Sequence, residues 1–186
     1  MKRVVITGFS AITSLGDNWH DFKKALQQGE NAVVKLAQWD EVSGLNTKLA
    51  APITDYKTPS HYKRKQIRSM GKVSIMSTQA TENALTQAGL LGTELLTSGD
   101  VGISYGSSMG STSAIPAFGD LLTDNNMDGI TATSYLQMMP HTTPVNVGVF
   151  FGLKGRTITT SSACTSSSQG IGYAYEAIKY GRQKAM

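Results

Sequence analysis

The sequence predicts an α/β layered fold. Short apolar or β-branched runs alternate with helically spaced ones along its 186 residues, the pattern of strands and helices stacked in layers. Glycines, 19 in all, close most of the predicted elements. Abundant small Ser and Thr side chains let helices lie close against a sheet. Charged residues make up 16% and apolar residues 40%, which excludes disorder as the main state. The length suits one domain of ordinary size with its own core.

Taken in order, residues 4–7 (Val-Val-Ile-Thr) read as a buried strand closed by Gly8. Asp17 or Asn18 caps a helix carrying Trp19, Phe22, Ala25 and Leu26, and Gly29 stops it. Residues 30–68 are irregular, with Gly44, Pro52 and Pro59, and read as a cap or insertion. The clearest helix runs over 70–88, with a narrow stripe of Val73, Ser77, Ala80, Ala84 and Ala88. A strand at 101–104 enters a glycine-flanked loop, 106–110, and residues 124–130 form a polar turn. Residues 142–151 are helical, Pro144 being tolerated in the first turn. A β-branched strand at 157–160 leads through a run of small residues to a last helix. That helix carries Ile171, Ala174, Tyr175 and Ile178, and ends at Gly181. Residues 182–186 carry no terminal signal, and a further strand is expected to start at 185–186, so the chain reads as cut rather than ended.

Composition narrows the function classes. Seventeen basic against thirteen acidic residues give a net charge of +4, too mild for a general nucleic-acid binder. No stretch approaches the 18 apolar residues of a membrane span. The first residues lack the features of a signal peptide, so a soluble, cytoplasmic protein is expected. A single cysteine excludes a disulfide framework and a Cys-rich zinc site. No histidine cluster argues for a metal, and no glycine fingerprint for a phosphate-bound cofactor.

That cysteine, Cys164, lies between a predicted strand and a predicted helix. A helix starting near Thr165 would point its first N–H groups and the positive end of its dipole at the sulfur. Both would favour a nucleophilic thiol and hold an oxyanion formed on attack. The other reading is core filler, because cysteine is among the most buried residue types.

The segment 155–171, GRTITTSSACTSSSQGI, resembles the active-site segment of the β-ketoacyl-acyl-carrier-protein synthases, condensing enzymes of the thiolase-like superfamily. Gly155, Ala163, Cys164, Thr165, Ser166, Ser167 and Ile171 fit that signature. The opening KRVVITG, Leu15-Gly16, the segments 63–70 and 79–90, and the turn 106–110 are similar to further blocks of the family, in order. The resemblance implies a thiolase-like layered fold, of which this chain is the nucleophile-bearing N-terminal half. Its implied reaction is decarboxylating Claisen condensation: Cys164 takes an acyl group from acyl carrier protein, and malonyl carrier protein supplies the carbanion. It also implies no cofactor beyond the carrier's phosphopantetheine, and a homodimer or larger assembly. The family's two catalytic histidines and supporting lysine come from a second half absent here. None of His20, His61 and His141 lies in a comparable context.

On that resemblance Met109, Ser108 and Ala163 would line an acyl pocket. The dense basic cluster Lys63, Arg64, Lys65 and Arg68 would dock the acidic carrier, although such a run is also what a plain solvated face looks like. Two rival functions remain. One is an inactive fragment or structural partner subunit, against which the retained cysteine argues. The other is a serine hydrolase. Residues 106–110 fit G-x-S-x-G with Ser108 as nucleophile, followed by Asp120, Asp124 or Asp128 and by His141. The span from serine to histidine is short for that fold, and Pro116 sits early in the helix that should follow.

Overall fold

The computed structural model describes residues 1–186. They fall into two compact units, Ser10–Thr58 and the remainder, Met1–Phe9 with Pro59–Met186. The smaller unit starts ahead of the irregular 30–68 segment and ends within it, at Thr58, and residues 59–68 belong to the larger unit.

In the smaller unit, α1 (Trp19–Gln27) is capped by Asn18, whose side chain accepts from the Asp21 N–H. The same Asn18 amide, with His20, holds the Asp21 carboxyl below its usual range. The predicted apolar face of α1 stays largely open, with only Ala25 buried. Two short antiparallel strands, β1 (Val34–Lys35) and β2 (Leu49–Ala50), complete the unit.

The larger unit contains α2 (Arg64–Ile67), α3 (Lys72–Gln87), α4 (Glu94–Thr97), β3 (Ile103–Gly106), α5 (Ile115–Asp124), α6 (Ser134–Met138), α7 (Thr142–Phe151), β4 (Thr157–Thr160) and α8 (Ser166–Lys179). The strands β3 and β4 pair in parallel, with Ile103 opposite Thr157 and Gly106 opposite Thr160. Side chains alternate along a strand, and the contacts follow that alternation. Ser104 Oγ donates to the Gly170 carbonyl of α8 at 2.7 Å. Its neighbour Tyr105 bonds Ser77 of α3 through its hydroxyl at 2.6 Å, while Ile103 packs on the core formed with Val147 and Phe151 of α7. Thus α8 covers one face of the strand pair and α3 with α7 the other. Leu96 and Val101 complete the buried cluster.

The helix α3 buries a row next to the predicted stripe. Ser74 and Thr78 are its fully buried residues, and Ser74 Oγ meets Thr143 Oγ1 of α7 at 3.2 Å. Asn146 Nδ2 donates to the same Ser74 oxygen at 3.4 Å. The stripe residues are half-buried and serve close approach. A Cβ on Gly8 would overlap the Ala84 carbonyl.

Two expectations about strands change. Residues 4–7 form no ladder. The segment is held near its ends, by the Lys2 N–H on the Lys179 carbonyl (3.0 Å) and the Phe9 N–H on Gln87 Oε1 (2.7 Å). No neighbouring backbone runs in register between them, and Ile6 stays 88% exposed. The strand expected at 101–104 is shifted two residues onward, because Val101 instead bridges in parallel to Ala185, where a further strand was expected to begin. The helix at 142–151 and the strand at 157–160 form as expected. The short α2, α4 and α6 carry too little periodicity to be read in advance, and α5, a ten-residue helix with a left-handed Asn125 cap, was not expected.

The seat of α8 on β3 rests on missing side chains. A Cβ on Gly106 would overlap the Ser166–Ser167 peptide, and one on Gly170 would stand 3.3 Å from the Gly106 nitrogen. Gly106→Ala should therefore cost about 3 kcal/mol through overpacking. By contrast Gly172→Ala, two residues past Gly170 on an open face, should gain about 0.5–1 kcal/mol from helix propensity. Urea midpoints of the two variants test this, and a Gly106→Ala midpoint matching the parent's would remove the close-approach argument.

Candidate active site

The site is built where β4 hands the chain to α8. After Thr160 the backbone turns through Ser161 and Ser162 into a single 3-10 turn, Ala163–Thr165, and α8 begins at Ser166. Cys164 occupies the middle of that turn and is exposed, outside the core of this chain. Ala163 is held in the left-handed region at φ 48°, which costs an ordinary L-residue about 1–2 kcal/mol. Such a conformation persists only where its surroundings impose it.

Those surroundings centre on Ser166, 2% exposed. Its hydroxyl donates to the Ala163 carbonyl at 2.7 Å and accepts the Ser162 N–H at 2.8 Å. It also lies 3.2 Å from Ser108 Oγ. A hydroxyl owns one proton. With that proton on Ala163, Ser108 must be the donor in the third bond. The Ser166 carbonyl in turn accepts Thr160 Oγ1–H at 2.7 Å, and Ser162 Oγ donates to Gln169 Oε1 on the first turn of α8. Both ends of the turn are therefore tied down.

The loop 106–110 reaches this turn through Ser108, while Ser107 Oγ closes the loop on the Met109 carbonyl at 2.9 Å. Ser108 is thereby joined through Ser166 to the turn that carries Ala163 and Cys164, and Met109 follows it on the loop, 58% exposed. As a hydrolase elbow the loop fails. No helix follows Ser108 directly: a 3-10 turn at Thr112–Ala114 intervenes before α5. The partner of Ser108 is a hydroxyl, not an imidazole. His141 sits exposed ahead of α7.

Lys63, Arg64, Lys65 and Arg68 lie on and around α2, a different element, and all are exposed. None of them makes an ion pair within 4.0 Å, so their charge faces outward uncompensated. The segment is anchored at both ends. Ahead of it, His61 Nε2 is 2.9 Å from Glu82 of α3, and the buried Tyr62 donates to the same carboxylate at 2.8 Å. Behind it, Ser69 Oγ donates to Asn146 of α7 at 3.1 Å. Glu82 was not foreseen from sequence, and Ser166 only as a small residue fitting the signature around the cysteine, not as the bonding centre of the turn. One is a lone acid on a helix face and the other one hydroxyl in a run of four, 165–168, and no local pattern assigns either its bonding partners.

The sequence matches, over residues 1–186, the family described as beta-ketoacyl synthase, N-terminal domain. It is 27% identical over 185 residues to 3-oxoacyl-[acyl-carrier-protein] synthase 2 of Vibrio harveyi, covering 100% of this chain and 44% of that protein. It is 31% identical over 192 residues to nodulation protein E of Rhizobium meliloti, covering 100% of this chain and 45% of that one. The fold superposes on the crystal structure of a beta-ketoacyl synthase from Burkholderia phymatum with a TM-score of 0.92. Identity there is 50%, over 98% of this chain and 45% of that one. A ketosynthase assembly described as a type II polyketide acyl-carrier protein in complex with its ketosynthase shares the fold alone, at 22% identity, TM-score 0.78 and coverage of 98% and 48%. The chain spans less than half the length of the relatives it matches.

The strain at residue 163 is testable. Ala163→Gly relieves the left-handed penalty but frees the unfolded chain, so stability should stay within about 1 kcal/mol of the parent. Ala163→Val places a β-branched residue at positive φ and should cost more than about 2 kcal/mol. Residue 163 is exposed, so packing does not confound the pair, and equal denaturation midpoints for Gly and Val would contradict a left-handed conformation there.

Proposed function

The chain belongs to the β-ketoacyl synthase family, of which it carries the N-terminal domain in a thiolase-like fold, and from that premise we propose that it supplies the acyl-accepting nucleophile of a 3-oxoacyl-acyl-carrier-protein synthase. The observation that carries this reading is the exposed Cys164 on a strained turn between β4 and α8. Attack of the thiolate on an acyl-carrier thioester forms the acyl-Cys164 thioester and expels the carrier's phosphopantetheine thiol. Substrates arrive covalently on that arm, so the chemistry calls for no resident cofactor. Ala163 and Ser108 flank the acylated sulfur, and Met109 on the 106–110 loop bounds the space for the acyl chain.

Condensation needs more. Decarboxylation of a malonyl unit calls for groups that stabilise the departing carboxylate's electrons and the thioester oxygen. None of His20, His61 and His141 is bonded near Cys164: His61 faces Glu82, His20 faces Asp21 and His141 is exposed. We assign those groups to polypeptide beyond these 186 residues, in an assembly that is at least dimeric and cytoplasmic. The exposed apolar side chains Leu122 (84%), Val149 (77%) and Ile171 (72%) are consistent with surfaces meant to be covered. The strand β4 has β3 on one side only, leaving an edge of the kind that proteins usually protect. Fatty acid, polyene and polyketide pathways are all compatible with this chemistry.

The uncompensated cations of α2 complement an acidic acyl carrier protein, whose approach they would steer.

Iodoacetamide at neutral pH should alkylate Cys164 in the folded chain faster than in urea, and equal rates would remove the activated-nucleophile reading. With acyl- and malonyl-carrier as substrates, the 186-residue chain should release no condensed product, and turnover would show that the histidines here were wrongly set aside. Carrier binding should weaken with salt, and the double variant Arg64→Glu, Lys65→Glu should bind at least about tenfold more weakly at low ionic strength, with a flatter salt dependence. Unchanged affinity at low salt would reduce the cluster to a solvated face.

A further inference from the structure

We propose that Ser166 is the positioning residue for Cys164, and that its bond from Ser108 ties the thiol's position to the loop 106–110. The proposal rests on Cys164 being the nucleophile. It starts from an asymmetry in the turn. Ala163 sits at φ 48° with no glycine to make that conformation cheap, so a fixed contact must hold it. Within the turn, Thr165 N–H on the Ser162 carbonyl (3.1 Å) is the ordinary 3-10 bond. A second backbone bond runs from the Ser166 N–H to the Ala163 carbonyl, and apart from the Ser162 Oγ bond to Gln169 the side-chain bonds within the turn end on one atom, Ser166 Oγ. It takes the Ser162 N–H from below the turn and gives its proton to the Ala163 carbonyl above it. This closes a ring around residues 162–166, with Cys164 at its outer edge.

The ring is also anchored from outside. Gly106 admits the Ser166–Ser167 peptide against β3, Thr160 Oγ1 holds the Ser166 carbonyl, and Ser108 donates to Ser166 Oγ. Burial to 2% exposure denies the hydroxyl water as a replacement partner, so each lost bond leaves a polar group unpaired. Without Ser166 Oγ the turn keeps its two backbone bonds and the Ser162–Gln169 contact but loses the link between the Ser162 N–H and the Ala163 carbonyl, so Ala163 is held less firmly in its left-handed conformation and Cys164 samples orientations away from the start of α8. Movement of the loop by an acyl chain beside Met109 passes through Ser108 to the same oxygen. Chain fit and thiol presentation are then coupled by one hydroxyl.

The readout is the native-state alkylation rate of Cys164 by iodoacetamide, compared with the rate for the same protein in urea. A purely structural role would lower the melting temperature of Ser166→Ala and leave the folded-state rate unchanged or raise it by loosening. A positioning role slows the folded protein about tenfold and leaves the urea rate untouched, the scale expected when a hydrogen-bonded geometry is lost. Ser166→Thr keeps the hydroxyl and should recover the rate to within about threefold, and Ser108→Ala, losing one of the three bonds, should slow it about two- to threefold. A Ser166→Ala rate at or above the parent's overturns the proposal. Should that variant fail to melt cooperatively, Ser108→Ala decides: a parental rate overturns the proposal and a slower one upholds it. The reading of Cys164 as nucleophile fails separately, by a parental protein that reacts no faster folded than in urea.

Discussion

The nucleophile turn depends on how closely α8 can approach the C-terminal end of β3. Two positions without side chains, Gly106 and Gly170, permit contact between helix backbone and strand backbone. Everything functional about the site follows from that distance. It brings Ser166 beneath the 162–165 backbone, within reach of the Ser162 N–H and the Ala163 carbonyl. It brings the 106–110 loop near enough for Ser108 to join them. A sheet–helix spacing enlarged by one methyl group would stretch the Ser108 bond that crosses from the loop to the helix, because hydrogen bonds weaken steeply once stretched. Small residues here are thus a geometric requirement of the chemistry and not filler.

The arrangement also explains why the rival use of the same loop is not realised. A serine nucleophile needs a base to take its proton and a helix behind it to hold the oxyanion. Ser108 spends its proton on another hydroxyl, and a further 3-10 turn separates it from α5. The cysteine has what the serine lacks: a helix of fourteen residues beginning two positions later and open access to solvent. The proposed sulfur chemistry therefore fits the β4–α8 junction better than the serine loop does.

Much of this was legible in the sequence, for physical reasons that also mark where legibility stops. The strand Thr157–Thr160 and the helix Thr142–Phe151 announce themselves by β-branching and by a proline and glycine at the right ends. The place of Cys164 between a strand and a helix was legible because strand, small residues and helix succeed one another within a few positions. By contrast Val4-Val5-Ile6 carries the composition of a strand, yet pairing is a property of a neighbour, and none runs in register. The buried row of α3 was missed because Ser74 and Thr78 are polar; a periodicity argument searches for apolar residues and passes over hydroxyls that bond across a helix seam. Ala163 gave no warning, since a left-handed residue is signalled by glycine or asparagine and alanine is neither. The anchoring of α2 through His61, Tyr62 and Glu82 joins residues about twenty positions apart, beyond any local pattern.

The hydroxyl seam between α3 and α7 has a consequence for how uniquely the chain folds. An interface of leucines tolerates a slip of one helical turn, because one apolar contact replaces another at small cost. Here Ser74 Oγ meets Thr143 and Asn146, and both Ser74 and Thr143 are buried, Thr143 fully. Advancing one helix by a turn would leave those buried oxygens facing methyl groups, at about 1–3 kcal/mol for each one stranded. The seam acts as a keyed joint with a single admissible alignment. That alignment carries over to the strands, since Tyr105 of β3 is keyed to Ser77 of the same helix. Register chosen by polar atoms in the core thus fixes, several contacts away, the height at which β3 presents Gly106 to the turn that holds the cysteine.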